Sequence, residues 1–428
     1  MSLINKITAR EILDSRGHPT VEVDVFCEDG SWGRASVPAG ASIGQYEALE
    51  KRDNDPNRYN GLGILNAIKN INSIIAPKII GLEAIDQKQI DETLIYLDNT
   101  PNKSNLGANA TLGISLAVSR AAAQSLKMPL YIYLAKLAQT ETLPYHIPVP
   151  FVNIINGGKH GNDNLDFQEF MIVPLGAQKF SEAIMWCSEV SLSLADLLKS
   201  EGQSTNFGDE GGFAPEFETN EKAIETIITA IKNAGYQPGN QISIALDIAA
   251  SEFYENNKYH LVKEGKDYSS DGMIIYYQEL LKKYPIFSIE DGLSDSDWES
   301  WTKMTLQLGD QIKIIGDDLF ATNNTILQKG ISQKSANAIL IKPNQVGTLL
   351  ETIQTVRMAQ NTGFLTIISH RSGETEDVYI SDLAVAVNSF GIKTGGMNRS
   401  ERLAKYNQLI RIEEALGSNS RYGLDIKI

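Results

Sequence analysis

Six short apolar runs in the later part of the chain each end on a residue capable of ionic chemistry. ISIAL (242–246) is followed by Asp247, IFSI (286–289) by Glu290, IKIIG (312–316) by Asp317 and AILI (338–341) by Lys342. FLTIIS (364–369) is followed by His370 and Arg371, and FGI (390–392) by Lys393. From Asp247 through Glu290, Asp317, Lys342 and His370 to Lys393 the spacings are 43, 27, 25, 28 and 23 residues, and all but the first fit one strand–helix repeat. Functional side chains of an α/β barrel sit at the C-terminal ends of its strands. This pattern would therefore gather three carboxylates, two lysines, an arginine and a histidine on one rim.

Those residue types define a chemistry. Asp247, Glu290 and Asp317 form an all-oxygen set without His or Cys, which suits Mg²⁺ or Mn²⁺ rather than Zn²⁺. The plainer alternative makes Asp247 and Asp317 caps of the helices that follow; Glu290 is a poor capping type and turns the trio toward metal. Lys342 and Lys393 would stand beside that cation. Neighbouring positive charge disfavours an ammonium, so the pKa of Lys342 is expected to fall and let it act as a base rather than as a surface lysine.

Three further segments feed the same mouth. FGDEGGFAP (207–215) is a tight acidic turn that presents Glu210, although an acidic turn is ordinary by itself. NGGKH (156–160) and FQEF (167–170) bring His160, Gln168 and Glu169. VPAGASIG (37–44) is a small-residue loop suited to moving as a lid. It has no GK[ST], and GLG at 61–63 lacks a third glycine, so neither nucleotide loop is present. His18, His146 and His260 have no metal-like spacing. The run KRDNDPNR (51–58) reads as a solvated loop, and Trp298 and Trp301 as core residues.

The elements that must position these groups change character near residue 140. Before it, strand-like runs at 20–26 and 31–37 flank Asp29-Gly30, a hairpin signal. Helix-like stretches follow at 63–77, 86–97 and 108–139. The sequence thus predicts a small α+β domain over 1–140. Over 141–428 it predicts an α/β barrel, from apolar runs at 149–155, 170–173, 242–246, 286–289, 312–315, 338–341 and 364–368 that come to alternate with helices such as 346–361 and 400–416. An open doubly wound sheet is the competing architecture. Over 428 residues, 42% hydrophobic and 21% charged are ordinary for a globular protein. A net charge of −15 argues against direct nucleic-acid binding, which needs a basic face. No run approaches a membrane span, the start lacks the apolar core of a signal peptide, and the two cysteines, Cys27 and Cys187, offer no zinc spacing. A cytoplasmic location is expected.

With these residues assembled, the sequence resembles the enolase family over nearly its whole length. The likeness is carried by EILDSRGHPTVEV (11–23), PAGASIG (38–44), NIINGGKH (153–160), FQEFMIVP (167–174), FGDEGGFAP (207–215) and LDIAASEFY (246–254). It continues in SIEDGL (288–293), GDDLFATN (316–323), LIKPNQVGTL (340–349), SHRSGETED (369–377) and AKYNQLIRIEEALG (404–417). The resemblance implies a small α+β domain on an eight-stranded (β/α)8 TIM-like barrel whose second strand runs antiparallel. It implies reversible Mg²⁺-dependent dehydration of 2-phosphoglycerate to phosphoenolpyruvate, with two Mg²⁺ per site, the second arriving with substrate. On the matching positions, Asp247, Glu290 and Asp317 would be metal ligands and Ser42 the lid ligand of the second ion. Lys342 would be the base and Glu210 the acid, protonated because Glu169 raises its pKa. Glu169 and His160 would support the acid side, His370 is a further active-site residue, and Gln168, Arg371, Ser372 and Lys393 would contact substrate. A Lys or His base beside Mg²⁺ is a general property of this superfamily.

The resemblance also implies a homodimer, or an octamer as in some bacterial members. Some of those members bind RNA-processing complexes or plasminogen and have a cell-surface pool; GLDIKI at the end shows no terminal-lysine hook for plasminogen. A racemase or cycloisomerase of the same superfamily is opposed by the acid loop at 207–215 and by the Arg371-Ser372 pair. Ala39, Ile43, Pro343, Gly396 and Asn398 depart from the usual motifs, which bears on lid kinetics and on the setting of Lys342.

Overall fold

The computed structural model describes residues 2–40, 44–141 and 143–424. At the N-terminus, strands Ile4–Leu13, Pro19–Cys27 and Trp32–Ser36 form an antiparallel sheet in that order. The Asp29-Gly30 turn closes as the sequence predicts, with Gly30 at φ 84° and the Cys27 N–H donating to the Ser31 carbonyl at 2.8 Å. The first of these strands is an addition. Its apolar alternation is too weak to read, because Arg10 and Glu11 spend their side chains on ion pairs with neighbours.

Helices Gln87–Asp98, Ala108–Ser125 and Leu130–Ala138 follow an irregular helical stretch over 65–79. The sequence predicts one continuous stretch over 108–139, and the structure divides it. Lys127 turns left-handed at φ 53° and Pro129, which cannot donate inside a helix, starts a new one. Helix Ala108–Ser125 is buried almost all round because it lies between the small sheet and the later domain.

Eight strands then close a barrel: Val149–Asn156, Glu169–Val173, Ser243–Asp247, Ile286–Glu290, Lys313–Gly316, Ala338–Ile341, Leu365–Ser369 and Gly391–Lys393. The second is antiparallel to both its neighbours, and all other pairings are parallel. Closure between the eighth and first strands, with Lys393 beside Phe151, removes the sheet edges that an open architecture would leave.

Side-chain parity explains why the rim residues point inward. Alternate residues of a strand face opposite sides. Ala338 and Leu340 belong to the apolar cluster inside the barrel, whereas Ile339 and Ile341 pack outward against the helices. Lys342 is the next inward position. The same count takes Ala245 to Asp247 and Ile315 to Asp317. On the fourth strand an extra residue between Ile286 and Ser288 makes a bulge, and the register resumes with Glu290 beside Asp247. No helix among the described residues is long and apolar enough to cross a membrane.

Candidate active site

One cavity at the C-terminal end of the barrel is lined by His160, Gln168, Glu169, Glu210, Asp247, Asp317, Lys342, His370, Arg371, Ser372 and Lys393. Glu290 adjoins it through Lys393, whose Nζ lies 2.9 Å from Glu290 Oε1, 3.0 Å from Asp247 Oδ2 and 3.2 Å from Glu169 Oε1. The predicted rim residues are therefore together. Ser42 falls outside the described residues, as does Ile43.

The helix-cap alternative for the aspartates does not hold. Both Asp317 oxygens are taken by side chains, one by Lys342 Nζ and the other by Gln345 Nε2 at 3.2 Å. Asp247 accepts one local backbone bond from Ala249, at 3.1 Å, and gives its other oxygen to Lys393 and to Gln168 Nε2 at 3.2 Å. Asp291, at φ 43°, accepts the backbone N–H groups of Asp317 and Asp318 at 2.9 and 2.8 Å and so fixes the turn that carries Asp317. Among the described residues, Asp291, Asp317 and Asp318 converge closely enough to share an ion, as do His160, Glu169 and Glu210. Asp247, Glu290 and Asp317 are instead spanned by the two lysines.

The buried negative charge is in excess. Burial and the nearby Asp247 push Glu290 up to about 8, and burial with Asp317 pushes Asp318 up to about 7. A carboxyl so far above its usual range is short of positive charge. This fits the all-oxygen donor set to a hard divalent cation.

The surroundings of Lys342 and Glu210 bear on the two expectations about protons. Burial alone would lower Lys342, but the ion pair with Asp317 outweighs it and the lysine lies above its usual range, with Arg371 and Lys393 opposing. The lowered value expected of Lys342 belongs to the site with a divalent cation beside it. Glu210 is not the raised member of the acid pair. Burial pulls it up, yet His160, His370 and Arg402 prevail and hold it well below its usual range. Glu169 goes well above its range through burial and the Glu210 charge, against the pull of Lys393. Two carboxyls this close in a dry site titrate as a pair, so that charge on one favours a proton on the other.

The histidines have defined roles in this arrangement. His160 Nδ1 lies 3.7 Å from an oxygen of each acid. Arg402 Nη1 can only donate, and it lies 2.6 Å from His370 Nδ1. The proton of neutral His370 therefore sits on Nε2, 3.3 Å from Glu210 Oε2. Burial depresses His370 to about 4, in keeping with a neutral ring.

The acid loop itself depends on close backbone packing. Gly211 has φ 87°, a conformation that favours glycine. Its neighbour across the loop is Gly396, where a Cβ would come within 2.3 Å of the Gly211 carbonyl oxygen. Gly396 N–H donates to the Glu210 carbonyl at 2.7 Å.

Comparison with known families decides the kinship of this arrangement. The family model described as Enolase, N-terminal domain matches residues 4–134, and that described as Enolase, C-terminal TIM barrel domain matches residues 144–426. The chain belongs to the enolase family. It is thereby placed with the lyases of the enolase superfamily, a family whose members use Mg²⁺ and act on small molecules.

The departures from the enolase motifs now have surroundings. Gly396 and Asn398 both touch the acid loop, Asn398 through its Nδ2 and the Gly211 carbonyl at 3.4 Å. Ala39 pairs with Gly373 through two backbone bonds of 2.8 and 2.9 Å, which needs no particular side chain. Pro343 opens a short 3-10 turn that sends Asn344 and Gln345 into the mouth. Sequence reasoning missed those two residues, and with them Glu47 and Arg402. Arg402 is fully buried and also donates to the carbonyls of Arg371 and Ser372 at 2.6 and 2.7 Å. A charged residue in the first turn of a surface-patterned helix gives no sign of this in the sequence.

Proposed function

We propose that this chain catalyses the reversible dehydration of 2-phosphoglycerate to phosphoenolpyruvate, as a glycolytic enolase. The observation that carries the reading is topological. Lys342 follows the sixth strand, whereas Glu169 starts the second and is joined there by Glu210. In an eight-stranded closed order, the second and sixth strands stand opposite one another. A base on one wall and a carboxyl pair on the other suit loss of a proton and of a hydroxyl from adjacent carbons of one bound acid.

Asp247, Glu290 and Asp317 would hold Mg²⁺, and Ser42 would join a second ion that comes with substrate. Bound there, the ions would supply the positive charge that makes removal of a proton next to a carboxylate feasible. Lys342 takes that proton; Asp317 favours its charged form, and Arg371 and Lys393 favour the neutral form needed for the task. Glu210 hands a proton to the departing hydroxyl, drawing on the proton it shares with Glu169. His160 and His370 keep the pair at a single shared proton. Arg371 binds the phosphate through its planar donor edge with Ser372 beside it, while Gln168 and Lys393 orient the carboxylate end. We extend to this chain the cytoplasmic location and homodimeric assembly expected of its relatives.

The test follows the ultraviolet absorbance of the enol product after 2-phosphoglycerate is added, with Mg²⁺ titrated. A metal-dependent rise is expected, reduced by about 10³-fold or more in Lys342→Ala. No rise in folded wild type would overturn the reaction. A rise undiminished in the variant would keep the reaction and displace Lys342 as base.

A further inference from the structure

Glu47 enters the barrel mouth from outside the barrel, three positions after Gly44, and is 6% exposed. Its two oxygens face the end of the Arg371 guanidinium. Arg371 Nη1 donates to Oε2 at 2.9 Å and Nη2 donates to Oε1 at 3.2 Å. Nη1 also donates to Asn344 Oδ1 at 3.2 Å. A guanidinium is planar, so two bonds to one carboxylate set its plane as well as its place.

Glu47 is itself held on two further sides. Oε1 accepts from the Gly44 backbone N–H at 3.3 Å and from Gln345 Nε2 at 3.3 Å. The amide of Gln345 is fixed in turn, its Oε1 accepting from the Thr322 hydroxyl at 2.7 Å and its Nε2 donating to Asp317 Oδ1 at 3.2 Å. This carboxylate is thus built in, rather than swinging at the end of a free side chain.

An anion at this place opposes anionic substrate by charge alone. Its geometry offers a different service. We propose that Glu47 is a positioning residue that sets the plane and direction of Arg371, so that a phosphate group meets a pre-aimed donor edge. The inference rests on the reading of Arg371 as the phosphate ligand. Simple electrostatics and positioning make opposite forecasts for Glu47→Gln, which removes the charge at nearly constant shape. Loss of a competing anion would tighten phosphate binding, and loss of aim would weaken it.

Steady-state kinetics with 2-phosphoglycerate at saturating Mg²⁺ would be compared for wild type, Glu47→Gln, Glu47→Asp, Arg371→Lys and the double variant Glu47→Gln/Arg371→Lys. Calorimetric titration with inorganic phosphate would accompany them. Glu47→Gln is expected to raise KM and the phosphate Kd about ten-fold, with kcat within about three-fold, because aim is lost for ground state and transition state alike. In the Arg371→Lys background the same change should add less than about two-fold, since the two effects share one contact. Glu47→Asp, which keeps the charge with a shorter reach, should raise KM about three-fold, and it carries the test alone should Glu47→Gln not fold.

An unchanged or lowered KM and Kd in Glu47→Gln would overturn the proposal, as would an equal effect in both backgrounds. Unchanged KM in Glu47→Asp would overturn it too. Wild type that fails to turn over 2-phosphoglycerate yet loses phosphate affinity on Glu47→Gln would refute the assigned reaction while supporting the positioning role.

Discussion

The two ends of the same barrel are built on opposed physics. At the lower end, Phe151, Phe287 and Phe390 meet with ring centroids 5.6 to 6.2 Å apart, among Val149, Val173, Ala338 and other buried apolar residues. At the upper end, a few residues further along those strands, Lys393 alone touches three buried carboxylates. The lower end gains from every atom removed from water. The upper end loses solvation for each charge and recovers it only through partners, which leaves carboxyls such as Glu290 far above their usual range. One end therefore supports the fold and the other is tolerated for its chemistry. Except at the bulge on the fourth strand, inward parity runs on from apolar to ionic residues, so the packed lower layer holds the ionic one in place.

Lys393→Ala should break that contrast most severely. It would leave Asp247, Glu290 and Glu169 without their shared ammonium, reducing turnover to background and costing about 3–5 kcal/mol in urea unfolding of metal-free protein. Added Mg²⁺ should restore part of the stability and none of the turnover; full stability without metal would show that the ionic layer is not held by this lysine. At the other end, Phe151→Ala should cost about 3–5 kcal/mol through a cavity, with kcat in the folded fraction within a few-fold of wild type. A collapse of kcat there would mean that the two layers are not mechanically separate.

The smallest effect concerns a buried charge away from both ends. Asp91 of helix Gln87–Asp98 accepts from the Leu350 N–H at 2.8 Å, while Ser115 Oγ accepts from the Leu349 N–H at 2.9 Å, so the small domain caps a barrel helix. Burial pushes Asp91 up to about 7 from its ordinary 3.8. A carboxyl raised on folding binds more protons in the folded state between those two values. Its contribution is present below about 4 and is lost as pH rises through about 7. Wild type should accordingly lose on the order of 1 kcal/mol or more between pH 4 and pH 8 relative to Asp91→Asn, which keeps the acceptor oxygen and does not titrate. Parallel pH profiles of the unfolding midpoint would show that Asp91 does not report on this interface.

Much of the rim was legible because a parallel strand buried on both faces writes itself as an apolar run, and the first inward position past its end must lie on the mouth. Asp247, Asp317, Lys342 and Lys393 follow from that rule. Glu290 follows only by luck, since the bulge at 286–288 decides whether it stands beside Asp247, and bulges leave no reliable mark in IFSIE. The break at Lys127–Pro129 was legible in principle, from the proline, and the apolar continuity on either side concealed it.

Residue types and their order along the chain determined the barrel and its rim, because those depend on local pattern and on strand parity. The tertiary structure alone decided that Glu169 and Glu210 meet against His160, that Lys342 rests in the grip of Asp317, and that Glu47 and Arg402 reach the mouth from distant segments. Electrostatic interactions depend on distance through a dry interior, and residues more than 300 positions apart, such as Glu47 and Arg371, acquire a distance only when the chain has folded.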